Sequence, residues 1–96
     1  MTDPDVTRAP IDTAELRRRV ADMVAVASDG EVDAEEVLQA GVSFTALGVT
    51  SLTTLRLIDA VEEEFGVEID LGGDVGYLDD LDSLVRHILA ASPARR

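Results

Sequence analysis

Leu47-Gly48-Val49-Thr50-Ser51-Leu52-Thr53-Thr54-Leu55-Arg56-Leu57-Ile58-Asp59-Ala60-Val61-Glu62-Glu63-Glu64-Phe65-Gly66 is the stretch that decides the fold. It reads as the end of a loop, a sharp helix start and one amphipathic helix. Leu52, Leu55, Ile58, Val61 and Phe65 recur at spacings of three and four, which predicts that they share one apolar face. Thr53, Arg56, Asp59 and Glu63 then fall on the other faces. Hydroxyl side chains are favoured at helix starts because they satisfy N–H groups that have no partner in the first turn, so Thr50 or Ser51 can cap. Gly66 ends the helix, since glycine enters the left-handed conformation without a Cβ penalty.

Upstream, a first helix is predicted over about Thr13 to Ala27. Asp12 caps it, with Glu15 completing a capping-box pattern, and Leu16, Val20, Met23, Val24 and Ala27 form its apolar stripe. Arg17, Arg18 and Arg19 make a basic cluster on its exposed turn, read as a solvated face that pairs with nearby carboxylates. Ser28-Asp29-Gly30 stops the helix. Asp33-Ala34-Glu35-Glu36 repeats the capping-box pattern and starts a short turn through Gln39, closed by Gly41. The connection onward to Ser51 is too long to be left loose, so Val37, Phe44 and Leu47 are expected to tie it to the core. Asp29-Gly30-Glu31-Val32-Asp33 mimics part of a calcium loop, but its first ligand positions fall on Ala25 and Ala27, which have no side-chain oxygen.

Downstream, Glu68-Ile69-Asp70-Leu71 is expected to turn its two apolar residues inward. Gly72, Gly73 and Gly76 mark a flexible segment. A last helix starts near Asp79 or Asp80 and ends near Ala91, with Leu81, Leu84, Val85, Ile88 and Leu89 on its buried face. Residues 1–11 read as a disordered lead, 12–91 as the folded domain and 92–96 as a frayed tail. The expectation is one small all-α domain, a three-to-four-helix bundle with a long loop between its first and second main helices.

Composition removes several classes of function. There is no cysteine, so disulfides, cysteine nucleophiles and Cys-ligated zinc are excluded and any thiol must arrive on a prosthetic group. The single histidine, His87, lies in the last helix far from Ser51 in sequence, so no catalytic triad is supported and His87 reads as a satisfied or solvent-facing residue. No apolar run has membrane-spanning length and the polar start is no signal peptide, so a soluble cytoplasmic monomer is expected. The net charge of −12 repels nucleic acid and anionic membranes and steers the chain toward basic protein surfaces. All eight basic residues are Arg and there is no Lys, a usage that, with the high Ala and Val content, fits a GC-rich source.

Leu47-Gly48-Val49-Thr50-Ser51-Leu52, followed by an acidic helix ending Glu62-Glu63-Glu64-Phe65-Gly66-Val67-Glu68-Ile69, resembles the acyl carrier protein family. The resemblance covers roughly Leu16 to Leu89. It implies an acyl-carrier-type bundle with 4′-phosphopantetheine attached covalently to Ser51, the arm's thiol holding the cargo as a thioester. It also implies a non-catalytic protein that is itself a substrate of a phosphopantetheinyl transferase. The family usually has aspartate just before the serine, where this chain has Thr50, and the missing carboxylate is expected to slow modification or narrow the choice of transferase.

The helix after Ser51 is the expected recognition surface, with Thr50, Leu52, Thr53, Arg56, Asp59, Glu62 and Glu63 around the arm's exit. From Leu57 to Val85 there are ten acidic residues and no basic one, a surface suited to fast, weak docking of basic enzymes. Arg56 breaks that pattern and is expected to help select dedicated partners. A slot between the central and last helices, opened by Ala60, Val61 and Leu84, is where such a bundle would shelter cargo. The first reading is a discrete acyl carrier serving synthase enzymes in fatty-acid-like or polyketide-type biosynthesis. The alternatives are a free-standing aminoacyl or peptidyl carrier loaded by an adenylating enzyme, and an unmodified acidic helical interaction module.

Overall fold

The computed structural model describes residues 12–39, 43–73 and 75–91. The expected lead at 1–11, the tail at 92–96 and the closing role of Gly41 lie outside the described residues. Helices α1 (Thr13–Ala27), α2 (Ala34–Leu38) and α3 (Ser51–Phe65) are followed by a 3₁₀ turn (Gly76–Leu78) and α4 (Leu81–Ala91). The described residues contain no strand, and the bundle is all-helical as the periodicity predicts.

Helix α1 begins as read: Asp12 Oδ1 accepts the Ala14 N–H at 3.2 Å. Its buried face is Leu16, Val20, Ala21, Val24 and Ala27, with Met23 half-buried at the margin. The helix closes on two bonds, Gly30 N–H to Ala25 O at 2.8 Å and Asp29 N–H to Val26 O at 3.0 Å. This pattern needs a left-handed residue just past the cap, and Asp29 takes that place at φ 58°. The buried Ser28 hydroxyl donates to Ala25 O and accepts the Val32 N–H, so its burial leaves no polar atom stranded.

Helix α1 is the hub. It packs closely against α2, α3 and α4, whereas the α3 and α4 backbones approach each other less. The side chains of Leu57, Ile58 and Val61 from α3 and of Leu81, Leu84, Val85 and Ile88 from α4 complete one core with those of α1. Burying each such side chain is worth about 1.5–3 kcal/mol against leaving it in water. Ion pairs fasten the same helix from outside. Arg17 pairs with Asp82 of α4 at 2.9 Å and donates to Leu38 O of α2, while Arg18 reaches Glu35 of α2 at 3.0 Å. Arg19 pairs with Glu64 of α3 and lies over the Phe65 ring. The arginine cluster is thus a set of straps to three neighbouring helices, in keeping with its reading as a paired face. Arg19–Glu64 at one end and Arg56–Asp29 at the other show that α1 and α3 run antiparallel.

The long connection is tied down as expected. Val37 and Phe44 are buried and Leu47 packs at the core's edge. Phe44 N–H donates to Asp79 O at 2.8 Å, joining the loop to the approach to α4. Val49 N–H returns to Phe44 O and Gly48 N–H to Thr45 O, both at 3.0 Å, and Gly48 makes the turn at φ 95°. Gly66 ends α3 at φ 69°.

Two expectations about packing are overturned. On α3 the buried residues are Thr53, Leu57, Ile58 and Val61, whereas Leu52 and Leu55 are 57% and 52% exposed. The apolar arc of α3 is wider than one packing face, and the bundle takes the Thr53-Leu57-Val61 edge. Thr53, which the spacing puts on another face, is buried, and its hydroxyl is satisfied locally by accepting from Thr50 Oγ1. Past α3, Val67 and Ile69 are the inward pair and Leu71 is 55% exposed. Asp70 Oδ1 accepts the Gly72 N–H and Asp70 O accepts the Gly73 N–H, so the chain turns before Leu71 can continue the inward alternation.

Candidate functional site

The site is built at the start of α3. Thr50, in extended conformation, is the cap: its Oγ1 accepts the Thr53 N–H at 3.2 Å and donates to Thr53 Oγ1 at 3.1 Å. Thr50 O also accepts the Thr54 N–H and hydroxyl. Capping therefore falls to Thr50, and Ser51, the first residue of the helix, is exposed. A helix N-terminus concentrates unpaired N–H groups and partial positive charge, a setting that favours an anion on the neighbouring oxygen.

Beside Ser51 lies an open hollow of about 330 Å³. Thr45, Val49 and Thr50 line it from the loop, Thr54, Leu55 and Ile58 from α3, and Leu71 from beyond α3. Val49 and Leu71 were not singled out from the sequence as site residues. The signal for Leu71 was its place between Asp70 and Gly72-Gly73, the chemistry of an exposed turn rather than of a core strand.

The other expected recognition residues divide. Leu52, Arg56, Asp59 and Glu63 are exposed, and so is Thr50 as a residue, although its hydroxyl is committed to the cap. Thr53 is only 8% exposed and is no surface residue. Glu62 Oε2 accepts the Ile69 N–H at 2.9 Å, which ties that carboxylate to the segment following α3. Arg56 reaches Asp29 at 3.2 Å and so links α3 to the end of α1. Ala60, expected in a slot against α4, instead lines a groove against α1 together with Met23, Val26 and Ala27.

His87 also differs from its reading. Its ring stacks on Tyr77 with centroids 3.8 Å apart and planes 3° from parallel, and its buried Nε2 has no hydrogen-bond partner. The pair pins the 3₁₀ turn to α4. Asp80 caps α4 through the Ser83 N–H at 2.7 Å. That bond, then the Ser83 hydroxyl and more weakly Arg86, hold its carboxyl below the usual range against the opposing effect of burial. Among the described residues no group of three or more His, Asp or Glu side chains is arranged to hold a metal, and no helix is long and apolar enough to cross a membrane.

The family model described as a phosphopantetheine attachment site matches residues 14–88. The chain belongs to that family. As a phosphopantetheine-attachment domain it is a carrier protein, with 4′-phosphopantetheine as its covalently bound group. A comparison with curated proteins and with solved structures finds no match. The start of α3 suits the group: an exposed hydroxyl at a helix N-terminus, a cap made by another residue, and a partly apolar hollow alongside. Its family membership and the all-helical bundle agree with the resemblance read from the motif around Ser51.

Proposed function

We propose that Ser51 is the attachment residue and that the domain is a discrete acyl carrier serving synthase enzymes of fatty-acid-like or polyketide-type biosynthesis. The observation that carries the first part is the division of labour between neighbours: Thr50 caps α3, which leaves the exposed Ser51 hydroxyl for modification. When bound, the arm supplies a thiol that holds acyl groups as thioesters. The chain's own residues contribute presentation. The first turn of α3 places partial positive charge beside the phosphodiester position. Val49, Leu55, Ile58 and Leu71 offer apolar surface next to it.

Partners in this reading are a phosphopantetheinyl transferase, a loading enzyme and synthase enzymes with basic docking patches. Leu52, Arg56, Asp59 and Glu63 are the residues proposed to meet them, with Thr50 at the edge. The domain acts as a non-catalytic, monomeric cytoplasmic substrate of these enzymes. Its strong acidity favours the acyl over the aminoacyl assignment.

The test is intact mass after incubation with coenzyme A and a broad-specificity phosphopantetheinyl transferase, beside Ser51→Ala. A gain of one phosphopantetheine group, lost in the variant, supports the assignment. No gain with several transferases, and none after Thr50→Asp, would replace it with an unmodified interaction module, the reading that Thr50 favours by offering no carboxylate beside Ser51.

A further inference from the structure

The groove between α1 and α3 lies apart from the Ser51 hollow, and no residue lines both. It is open, has a volume of about 450 Å³ and is floored by Met23, Val26 and Ala27 of α1 and Ala60 of α3. Asp22, Asp29 and Arg56 stand along it. Val26 is 77% exposed, the most exposed large apolar side chain among the described residues. It sits one turn from Asp22 on α1 and beside the turn carrying Asp29.

We propose that this groove is a docking site for a cationic amphipathic helix of a partner protein. The apolar floor accepts one or two aliphatic side chains, and burial of Val26 and Met23 supplies the non-directional part of the attraction. The rim selects the charge. Asp22, which Arg18 reaches at 3.5 Å in an exposed pair, and Asp29 flank the α1 side, and along α3 the wall continues from Ala60 to Asp59 and Glu63, which line an adjoining hollow with Glu62. Among the described lining residues the one cation is Arg56, and it already spends its charge on Asp29 at 3.2 Å. A partner lysine or arginine competes with it for that carboxylate. A net charge of −12 argues against an anionic membrane or nucleic acid as occupant. A helix laid in a groove between two helices, with apolar anchors spaced along one face and basic residues beside them, matches both floor and rim.

The probe is a synthetic Leu/Lys amphipathic helical peptide, with a Leu/Glu peptide of the same pattern as its control. Binding is followed through the backbone amides of the full 96-residue chain by NMR. Shifts from the Leu/Lys peptide are expected to centre on Met23, Val26, Ala27 and Ala60. Val26→Gln should weaken binding about fivefold by removing apolar contact, and Leu55→Gln by less than about twofold. Arg56→Gln should tighten it about twofold or more by freeing Asp29, a gain that a merely structural ion pair would not produce. All these substitutions fall on exposed helix positions, and circular dichroism checks that the variants keep their fold. Shifts centred on Leu52, Leu55 and Leu71, equal binding of the Leu/Glu peptide, or no saturable binding would each overturn the proposal. The groove needs no arm, so the same titration on Ser51→Ala gives the same answer and leaves the attachment question separate.

Discussion

Thr50 Oγ1 accepts the backbone N–H of Thr53 at 3.2 Å and donates its own proton to Thr53 Oγ1 at 3.1 Å. One residue thus caps α3 and satisfies a hydroxyl that the bundle buries. Thr50→Ala removes the cap and strands Thr53, so it should cost about 1–2 kcal/mol in urea denaturation. Thr50→Asp keeps an acceptor for the Thr53 N–H and adds negative charge at the positive helix end. Its stability should stay within about 0.5 kcal/mol of the parent. If Thr50 slows modification because it lacks a carboxylate, Thr50→Asp should also raise the initial rate of phosphopantetheine attachment, followed by mass. A faster rate with unchanged stability separates transferase recognition from folding.

The exposed and buried leucines of α3 differ in what they support. Leu57 is in the core, whereas Leu52 and Leu55 face solvent. Leu57→Ala should destabilise by about 2–5 kcal/mol, and Leu52→Ala and Leu55→Ala by less than about 0.5 kcal/mol each. Thermal and urea unfolding of the three variants measure this. Losses at Leu52 and Leu55 larger than the loss at Leu57 would return α3 to the face that its spacing predicts.

Asp29 combines two opposed contributions. Its left-handed backbone is strained for a residue with a Cβ, by about 1–2 kcal/mol, although aspartate is among the side chains that tolerate it best. Its exposed ion pair with Arg56 returns about 0–1 kcal/mol. Asp29→Gly should therefore stabilise the domain by a few tenths to about 1 kcal/mol, despite losing the pair. Asp29→Asn keeps a tolerant side chain and removes only the charge, so it should change stability by less than about 0.5 kcal/mol. The difference between the two variants, read from urea midpoints, isolates the backbone from the ion pair.

Much of this architecture is legible in the chain because local chemistry and tertiary packing agree there. The limits of α1, the Asp33–Glu36 capping box, the anchoring Phe44 and the glycine stop at Gly66 all follow from side-chain chemistry close in sequence. The face that α3 buries is a different kind of question. Leu52, Leu55, Leu57, Ile58 and Val61 span an arc wider than one contact, and α1 decides which edge is covered. The turn at Asp70 redirects Leu71 for a similarly local reason, but only the bonds to Gly72 and Gly73 show on which residue the alternation breaks. At the proposed site, the residue types around Ser51 can be read from the sequence. The distances in the Thr50–Thr53 pair and the wall contributed by Leu71 required the folded chain.

The cap of α4 should appear in the pH dependence of stability. Asp80 accepts the Ser83 N–H at 2.7 Å, and this bond, with the Ser83 hydroxyl and Arg86, lowers its folded pKa below the unfolded value of about 3.9. A lowered carboxylate pKa gives stability that is fully present above the unfolded pKa and is lost as pH falls through the folded one. Asp80→Asn keeps a capping oxygen without a titrating proton, whereas Asp80→Ala removes the cap at every pH. Near neutral pH, Asp80→Ala should cost about 0.5–2 kcal/mol and Asp80→Asn less. Below about pH 3.9 the parent's advantage over Asp80→Asn should shrink with each step in acidity, because only the parent takes up a proton there. Urea unfolding of both proteins across that range gives a difference curve in which the other carboxylates cancel. A difference that stays flat into strong acid would mean that the Asp80 charge does not contribute to holding the start of α4.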